Sequence, residues 1–274
     1  MKKYEFTGET KLFAGRTLRQ IRALTQIKCG AYAVTPGTVG GWIENEENLS
    51  HDGNAWVYGD AQVYGNAQVY GNAWVYDNAQ VYGKAWVCEN AQVYDNAQVY
   101  DNAQVSGNAW VYDNAWVYDN AWVYGNAQVY GNAQVYGNAW VSGNAWVSGD
   151  TWVYDNAQVS GKARVCENAQ VYGNAWVYGN AWVSGDAQVY GKARVCENAK
   201  IEKITDYFSV GPIGSRNDVT TFFRCADKSI KVKCGRFRGT LAEFTEKADE
   251  SHGDSKHGQV YKLAIELAKK QLEE

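Results

Sequence analysis

No stretch of these 274 residues approaches the roughly 18 uninterrupted apolar residues of a membrane-spanning helix. The lysine-bearing start, Met1-Lys2-Lys3-Tyr4-Glu5-Phe6, lacks the apolar core of a secretory signal. These absences predict a soluble, cytoplasmic protein with no membrane partner. Histidine is scarce: His51, His252 and His257 are the only three, and none lies between residues 53 and 202. The commonest general base is therefore missing from most of the chain. Thr151 is the sole threonine of that span, which excludes the regular threonine rows of an ice-binding face. Six cysteines (Cys29, Cys88, Cys166, Cys196, Cys225, Cys234) are even in number. Without a signal, and in a chain this long, they read as free thiols rather than a disulfide framework.

Residues 53–202 form 25 consecutive hexapeptides without one insertion, from Gly53-Asn54-Ala55-Trp56-Val57-Tyr58 to Glu197-Asn198-Ala199-Lys200-Ile201-Glu202. Such a period is the mark of a solenoid. Side chains alternate along an extended backbone, so in Ala-x-Val the Ala and Val face one way and x the other. The next three positions, Tyr-Gly-Asn or variants, tolerate positive φ and predict a sharp corner. Three strand-and-corner units close a triangular coil, and the equivalent strand of the next coil stacks at parallel-sheet spacing. The expected fold is mainly β: a parallel β-helix with an inward Ala/Val core and Asn ladders at the corners. Left-handed winding does not follow from this pattern, which also suits a right-handed triangular solenoid.

The outward x position alternates among Gln, Trp, Arg and Lys. Every third hexad shares a face. One face carries Trp56, Trp74, Trp110, Trp146 and Trp182, interrupted by Gln92, Gln128 and Arg164. A second carries Trp86, Trp122, Trp140 and Trp176, and a third is Gln-rich with Trp116 and Trp152. Two readings of these rows stand side by side: structural ladders that shield the sheet, or a contact surface for a protein partner or a second copy. Sugar stacking on the aromatic rows is a further alternative. Net charge is −4, but the repeat holds 13 acidic against 6 basic residues while 203–274 holds 11 against 13. An acidic body argues against nucleic acid along the solenoid and leaves the tail as the place for an anion.

The open ends of a solenoid need caps. Residues 1–52 are expected to close the first coil, with Pro36-Gly37-Thr38 and Gly40-Gly41 as punctuation and Trp42 and Ile43 as a plug. Residues 203–274 read as an α+β module. Thr220–Cys225 and Ser229–Cys234 are its strands. A first helix opens on a capping box, Thr240-Leu241-Ala242-Glu243, and buries Leu241, Phe244 and Ala248. A second carries Val260, Leu263, Ala264 and Leu267 at helical spacing. Lys231, Lys233, Arg236 and Arg238, with Arg216 nearby, form a candidate anion or phosphate site. Cys225, Cys234, His252 and His257 are too unevenly spaced for a zinc motif. No metal and no cofactor is expected.

The hexads, with an inward aliphatic (Val), a turn (Tyr-Gly-Asn) and an inward small residue (Ala), resemble the left-handed β-helix of the hexapeptide-transferase superfamily over 53–202. Residues Leu18-Arg19-Gln20-Ile21-Arg22-Ala23-Leu24, Gly40-Gly41-Trp42-Ile43-Glu44 and Glu47-Asn48-Leu49-Ser50 resemble the leader of an uncharacterised bacterial and phage group of such proteins. Some of its members carry an acyltransferase label. The tail, Ile213-Gly214-Ser215-Arg216-Asn217-Asp218 through Gly235-Arg236-Phe237-Arg238-Gly239-Thr240, is similar to a module that recurs at the end of these phage and prophage proteins. The resemblance implies left-handed coils and a phage or prophage setting, with a host-interaction or anti-defence role in the host cytoplasm. Acyltransferases of the superfamily use a His base beside protruding loops at a trimer interface, and the unbroken register here supplies neither. The expected function is a non-enzymatic scaffold, homo-oligomeric or bound to a protein partner, against the alternatives of a degenerate acyltransferase and a glycan-binding module.

Overall fold

Each hexad contributes two strand residues, x and Val, and then turns. A computed structural model describes residues 1–29 and 32–272, and it is mainly β: a parallel β-solenoid with a small C-terminal helix-and-sheet module. The chain divides into two units, Met1–Asp150 and Thr151–Glu274, the division falling inside the repeat.

Within residues 53–150 the strands of the hexads pair in parallel with the residues 18 positions on, as Gln80–Val81 does with Gln98–Val99 and Trp86–Val87 with Gln104–Val105. Eighteen residues are three hexads, so the coil is the triangular one that the period predicts. Gln80 N–H donates to the Ala97 carbonyl at 2.9 Å, Tyr82 N–H to Val99 at 3.0 Å, and the corner amide of Asn96 to Asp113 at 2.8 Å. The ladder thus continues around the corner. Ala and Val of these hexads are completely buried, as at Ala115 and Val117. Ala stands beside the turn, which the Ala79 N–H closes on the Tyr76 carbonyl at 3.3 Å.

The first corner residue has positive φ throughout: Gly at most units, but Asp or Glu at Asp77, Glu89, Asp95, Asp101, Asp113 and Asp119, with φ between 56° and 60°. An L residue in this region costs about 1–2 kcal/mol. The acids recover part of it. Asp113 accepts the Gly131 N–H at 3.1 Å and Asp119 the Gly137 N–H at 3.2 Å, one coil on.

The coil geometry begins ahead of the repetitive sequence. Trp42 and Ile43 pair in parallel with Gln62 and Val63, so Gly41-Trp42-Ile43 stands where a hexad has Ala-x-Val. Ile43 is buried as expected, but Trp42 is not part of a plug: its ring lies outward under the Lys11 ammonium, 4.5 Å from the ring centre. A hairpin of Tyr4–Phe13 and Arg16–Ala23, turned at Ala14-Gly15 with positive φ at both, extends this face in antiparallel fashion. The flank completes the ladder with side chains where no coil precedes. Lys3 Nζ donates to the Ala55 carbonyl at 2.7 Å, and Asn48 Nδ2 to the carbonyls of Ala67 at 2.9 Å and Gly65 at 3.0 Å. Gly40 has no space for a side chain, since a Cβ there would lie 2.7 Å from the Trp56 ring.

Within residues 151–274 the same 18-residue register holds, as between Trp152 and Gln170. The last coils meet a four-stranded antiparallel meander: Tyr207–Ile213, Asp218–Arg224, Ile230–Cys234 and Phe237–Thr240. Here too side chains stand in for a missing coil, Thr221 Oγ1 accepting the Arg194 N–H at 3.0 Å and the Tyr207 hydroxyl accepting the Tyr190 N–H at 3.4 Å. Helices Leu241–His252 and Lys256–Leu272 cover the other side of the sheet. The capping box forms, with Glu243 N–H on Thr240 Oγ1 at 3.2 Å and Thr240 N–H on Glu243 Oε2 at 2.7 Å, and Leu241, Phe244 and Ala248 are buried as expected. The second helix is rotated from its expected face. Tyr261, Ala264, Ile265, Ala268 and Leu272 are buried, while Leu263 is 61% and Leu267 54% exposed. Tyr261 packs edge-on to Phe244 at 5.5 Å with Ile265 in the same cluster, and this contact sets the face.

The corner acids give a test. Asp119→Ala keeps a Cβ at positive φ but removes the acceptor, and is expected to destabilise by about 1–3 kcal/mol. Asp119→Gly removes the acceptor and the strain together and is expected to cost clearly less. Urea unfolding of the two variants checks the order; equal losses would mean that the carboxylate contributes nothing.

Candidate functional site: the outer faces and the tail groove

What the solenoid offers outward is rows. In residues 1–150, Tyr64, Tyr82, Tyr100, Tyr118 and Tyr136 stack at one corner with ring centres 4.8–5.0 Å apart and planes within 4°. Tyr76, Tyr94, Tyr112 and Tyr130 form a second such column. The tyrosine hydroxyls donate across to glutamines of the coil above: Tyr76 to Gln92 Oε1 at 3.1 Å, Tyr82 to Gln98 at 3.3 Å and Tyr118 to Gln134 at 3.2 Å. Asparagines form the expected ladders, each Nδ2 donating to the Oδ1 one coil on from Asn54 through Asn72, Asn90, Asn108 and Asn126 to Asn144, at 2.9–3.1 Å. Residues 151–274 repeat the pattern in Tyr154, Tyr172 and Tyr190.

The tryptophans differ among themselves. Trp86, Trp110, Trp116, Trp122, Trp140 and Trp146 are 37–43% exposed, as are Trp152, Trp176 and Trp182 in the second unit. Trp56 is not. It was expected to lead an outward row, but it is fully buried, packed edge-on to Tyr4 at 6.5 Å beneath the N-terminal flank. Trp74 is half-buried, its indole N–H donating to the Asn54 carbonyl at 3.2 Å. Trp122 and Trp140 occupy adjacent coils and stack at 5.5 Å. From Trp74 to Trp146 the other face alternates strictly, Trp, Gln92, Trp110, Gln128, Trp. Gln92 and Gln128 present their Oε1 to tyrosine hydroxyls, leaving the amide N–H groups for other acceptors.

The candidate anion residues are not one cluster. Glu197 takes both Lys231 and Arg238, the latter at 2.8 Å. Lys233 points its ammonium at the Gly235 and Phe237 carbonyls, and burial pushes its pKa down. Lys231 and Lys233 are two residues apart on one strand and Arg238 pairs opposite Lys233, so these three share one face of the sheet, whereas Arg216 and Arg236 lie in turns between strands. Arg216 and Arg236 stand apart at a groove with Lys247, His252 and Tyr261. Sequence reasoning missed the last three as site residues; their one signal is the approach of helix Leu241–His252 to the turns of the sheet.

Cys88, Cys166, Cys196, Cys225 and Cys234 are free thiols, and the side chain of Cys29 lies outside the described residues. Burial pushes the thiols of Cys88, Cys166 and Cys196 up and that of Cys225 to about 11, which keeps them protonated and unreactive near neutrality. His51 stacks on Tyr4 at 4.3 Å and accepts the Lys3 N–H at 3.2 Å. His252 and His257 lie 6.0 Å apart on the two helices. Among the described residues no group of three or more His, Cys, Asp or Glu is arranged to hold a metal ion, and no helix is long and apolar enough to cross a membrane.

The stacked tyrosines respond to alkali. Burial, and then the charge of neighbouring tyrosines and aspartates, pushes Tyr82 and Tyr112 up to about 12, and Tyr94 and Tyr100 rise for the same reasons. The folded state therefore holds protons that the unfolded chain releases near pH 10, so stability is full below pH 10 and falls as pH climbs toward 12. Titration by tyrosinate absorbance is expected to show Tyr82, Tyr94, Tyr100 and Tyr112 still largely protonated at pH 10–11, then a cooperative rise that coincides with loss of the β circular dichroism signal. Independent ionisation of most tyrosines near pH 10 with the fold intact would contradict the stacking.

Comparison with known proteins bears on the repeat alone. A family model described as the YdcK beta solenoid repeat matches residues 61–77, 67–83, 97–113, 103–119, 115–131, 127–141, 133–149 and 169–185. Each window spans about one coil. No curated protein matches the chain. In those windows the chain is similar to the YdcK solenoid repeat.

Proposed function

We propose that this chain is a non-enzymatic β-solenoid scaffold that works through its outer faces, docking against a protein surface of matching repeat, in the first place a second copy of itself. The observation that carries this reading is the exposure of large aromatics at the outward position, 37–43% for nine tryptophans, while the inward Ala and Val positions of the same hexads are sealed. Tryptophan is costly to leave half in water and is favoured as an interface anchor. Glutamine fills the same outward position at many units with the same ladder bonds, so the fold does not require Trp there. Left-handed winding and a phage or prophage setting with a host-interaction or anti-defence role belong to this proposal through the resemblance of the hexads and flanks.

The alternation of indole and amide supports a second reading, glycan binding. Trp110 and Trp146 lie two coils apart on one face, and a tyrosine column that rises 4.9 Å per coil puts them about 10 Å apart. That spacing suits a linear polymer that stacks on every second unit. A degenerate acyltransferase is the third; it would need a general base other than the histidines of the flanks.

Light scattering across concentration tests the first reading. The protein is expected to associate, and Trp122→Gln with Trp140→Gln is expected to weaken association at least about tenfold without lowering the melting temperature. A protein that stays monomeric at high concentration would remove self-association. A saturable shift of tryptophan fluorescence on titration with polysaccharide would favour the glycan reading, and turnover of an acyl-CoA would favour the enzyme.

A further inference from the structure

The C-terminal module holds a groove of about 320 Å³ between the turn after strand Tyr207–Ile213, the turn Gly235-Arg236 and the first helix. The half-buried Phe237 ring and the nearly buried Phe244 and Tyr261 rings line it from within, and Arg216, Arg236 and Lys247 line it from without. Its size is at the small end of ligand pockets.

Three features mark it as a binding site rather than a surface dent. Arg216 and Arg236 form no ion pair and no hydrogen bond among the described residues, in contrast to Lys231 and Arg238, which Glu197 neutralises, and Lys247, which pairs with Glu250 at 2.9 Å. Asp218, the carboxylate that shares this lining, lies 3.6 Å from Arg194. The backbone is bare where the Tyr261 ring lies against it. A Cβ at Gly214, where φ is +71°, would lie 1.9 Å from the Tyr261 hydroxyl. Finally, the Tyr261 ring is fixed from behind, its hydroxyl 3.6 Å from Cys234 Sγ, which in turn contacts Thr220 Oγ1 at 3.1 Å.

Two unpaired guanidiniums and three aromatic rings lining one groove suit a ligand with two parts. A guanidinium meets a phosphate with paired N–H donors, and ring edges and faces take a flat apolar body. We propose that this groove binds a small planar apolar molecule carrying a phosphate monoester, with Arg216 and Arg236 on the phosphate and Phe237 and Phe244 against the ring. Two sources share that chemistry, a nucleoside monophosphate and a simple aryl phosphate.

Calorimetric titration of the full chain with adenosine monophosphate, naphthyl phosphate, adenosine and inorganic phosphate separates them. At least one of the two esters is expected to bind saturably, with adenosine and inorganic phosphate each at least about tenfold weaker, since either alone forgoes half of the contacts. Which ester binds tells the source. Arg216→Ala with Arg236→Ala is expected to weaken the ester at least about tenfold while the melting temperature holds, both side chains being exposed. Arg238→Ala, across the sheet, is expected to leave binding unchanged. Failure of both esters to bind, inorganic phosphate binding as tightly as the better ester, or an unchanged affinity in the double arginine variant would overturn the proposal.

Discussion

The constraint on which this structure depends is translation by one coil. Each residue sits directly under the residue 18 positions on, and the same three amides of every hexad, those of x, Tyr and Asn, donate upward. A side chain that fits in one coil meets nearly the same surroundings in the next. The interior is narrow, with Ala beside the turn, and the columns of Tyr and Asn arise because like stands on like at sheet spacing. Stacked rings and amide ladders are therefore consequences of the register and reinforce it in turn.

The same constraint makes the first and last coils exceptional. Their carbonyls and amides have no coil to meet, and a buried unpaired backbone group costs as much as a lost hydrogen bond. Side chains supply what is missing: Lys3 and Asn48 donate to the open carbonyls of the first coils, and Thr221 and Tyr207 accept the open amides of the last. Lys3 does so at a cost, since burial lowers its pKa to about 8.

The solenoid was legible because a strict period leaves one way to place six residues: Ala and Val in, x out, Gly-Asn at the corner. The helix start at Thr240 was legible for a similar local reason, as the capping box is read within four residues. What eluded sequence reasoning was set by distant contacts. Trp56 carries the same hexad signature as Trp110, yet Tyr4 and Gly40 cover it. The buried side of the last helix is decided by Tyr261 and Ile265 meeting Phe244, which apolar spacing alone assigns wrongly to Leu263 and Leu267. The basic residues of 216–238 share a neighbourhood in sequence, but Lys231, Lys233 and Arg238 stand on one face of the sheet while Arg216 and Arg236 sit in its turns. The aromatic lining that makes Arg216 and Arg236 a candidate site comes from elements that only the tertiary fold assembles. The long hairpin of Tyr4–Phe13 and Arg16–Ala23 has no repeat to announce it, and its Ala14-Gly15 turn is a weak signal.

A chain of near-identical rungs carries a hazard in folding. Slippage by one full coil would return almost every contact of the repeat, so the repeat itself scarcely distinguishes correct alignment from a shifted one. The flanks break that degeneracy. Trp56 packs beneath Gly40 and edge-on to Tyr4 at one end, and the Arg194 N–H meets Thr221 Oγ1 at the other. The two end pieces thus serve as frame markers: they choose, among many alignments of equal local merit, the single one in which both ends close.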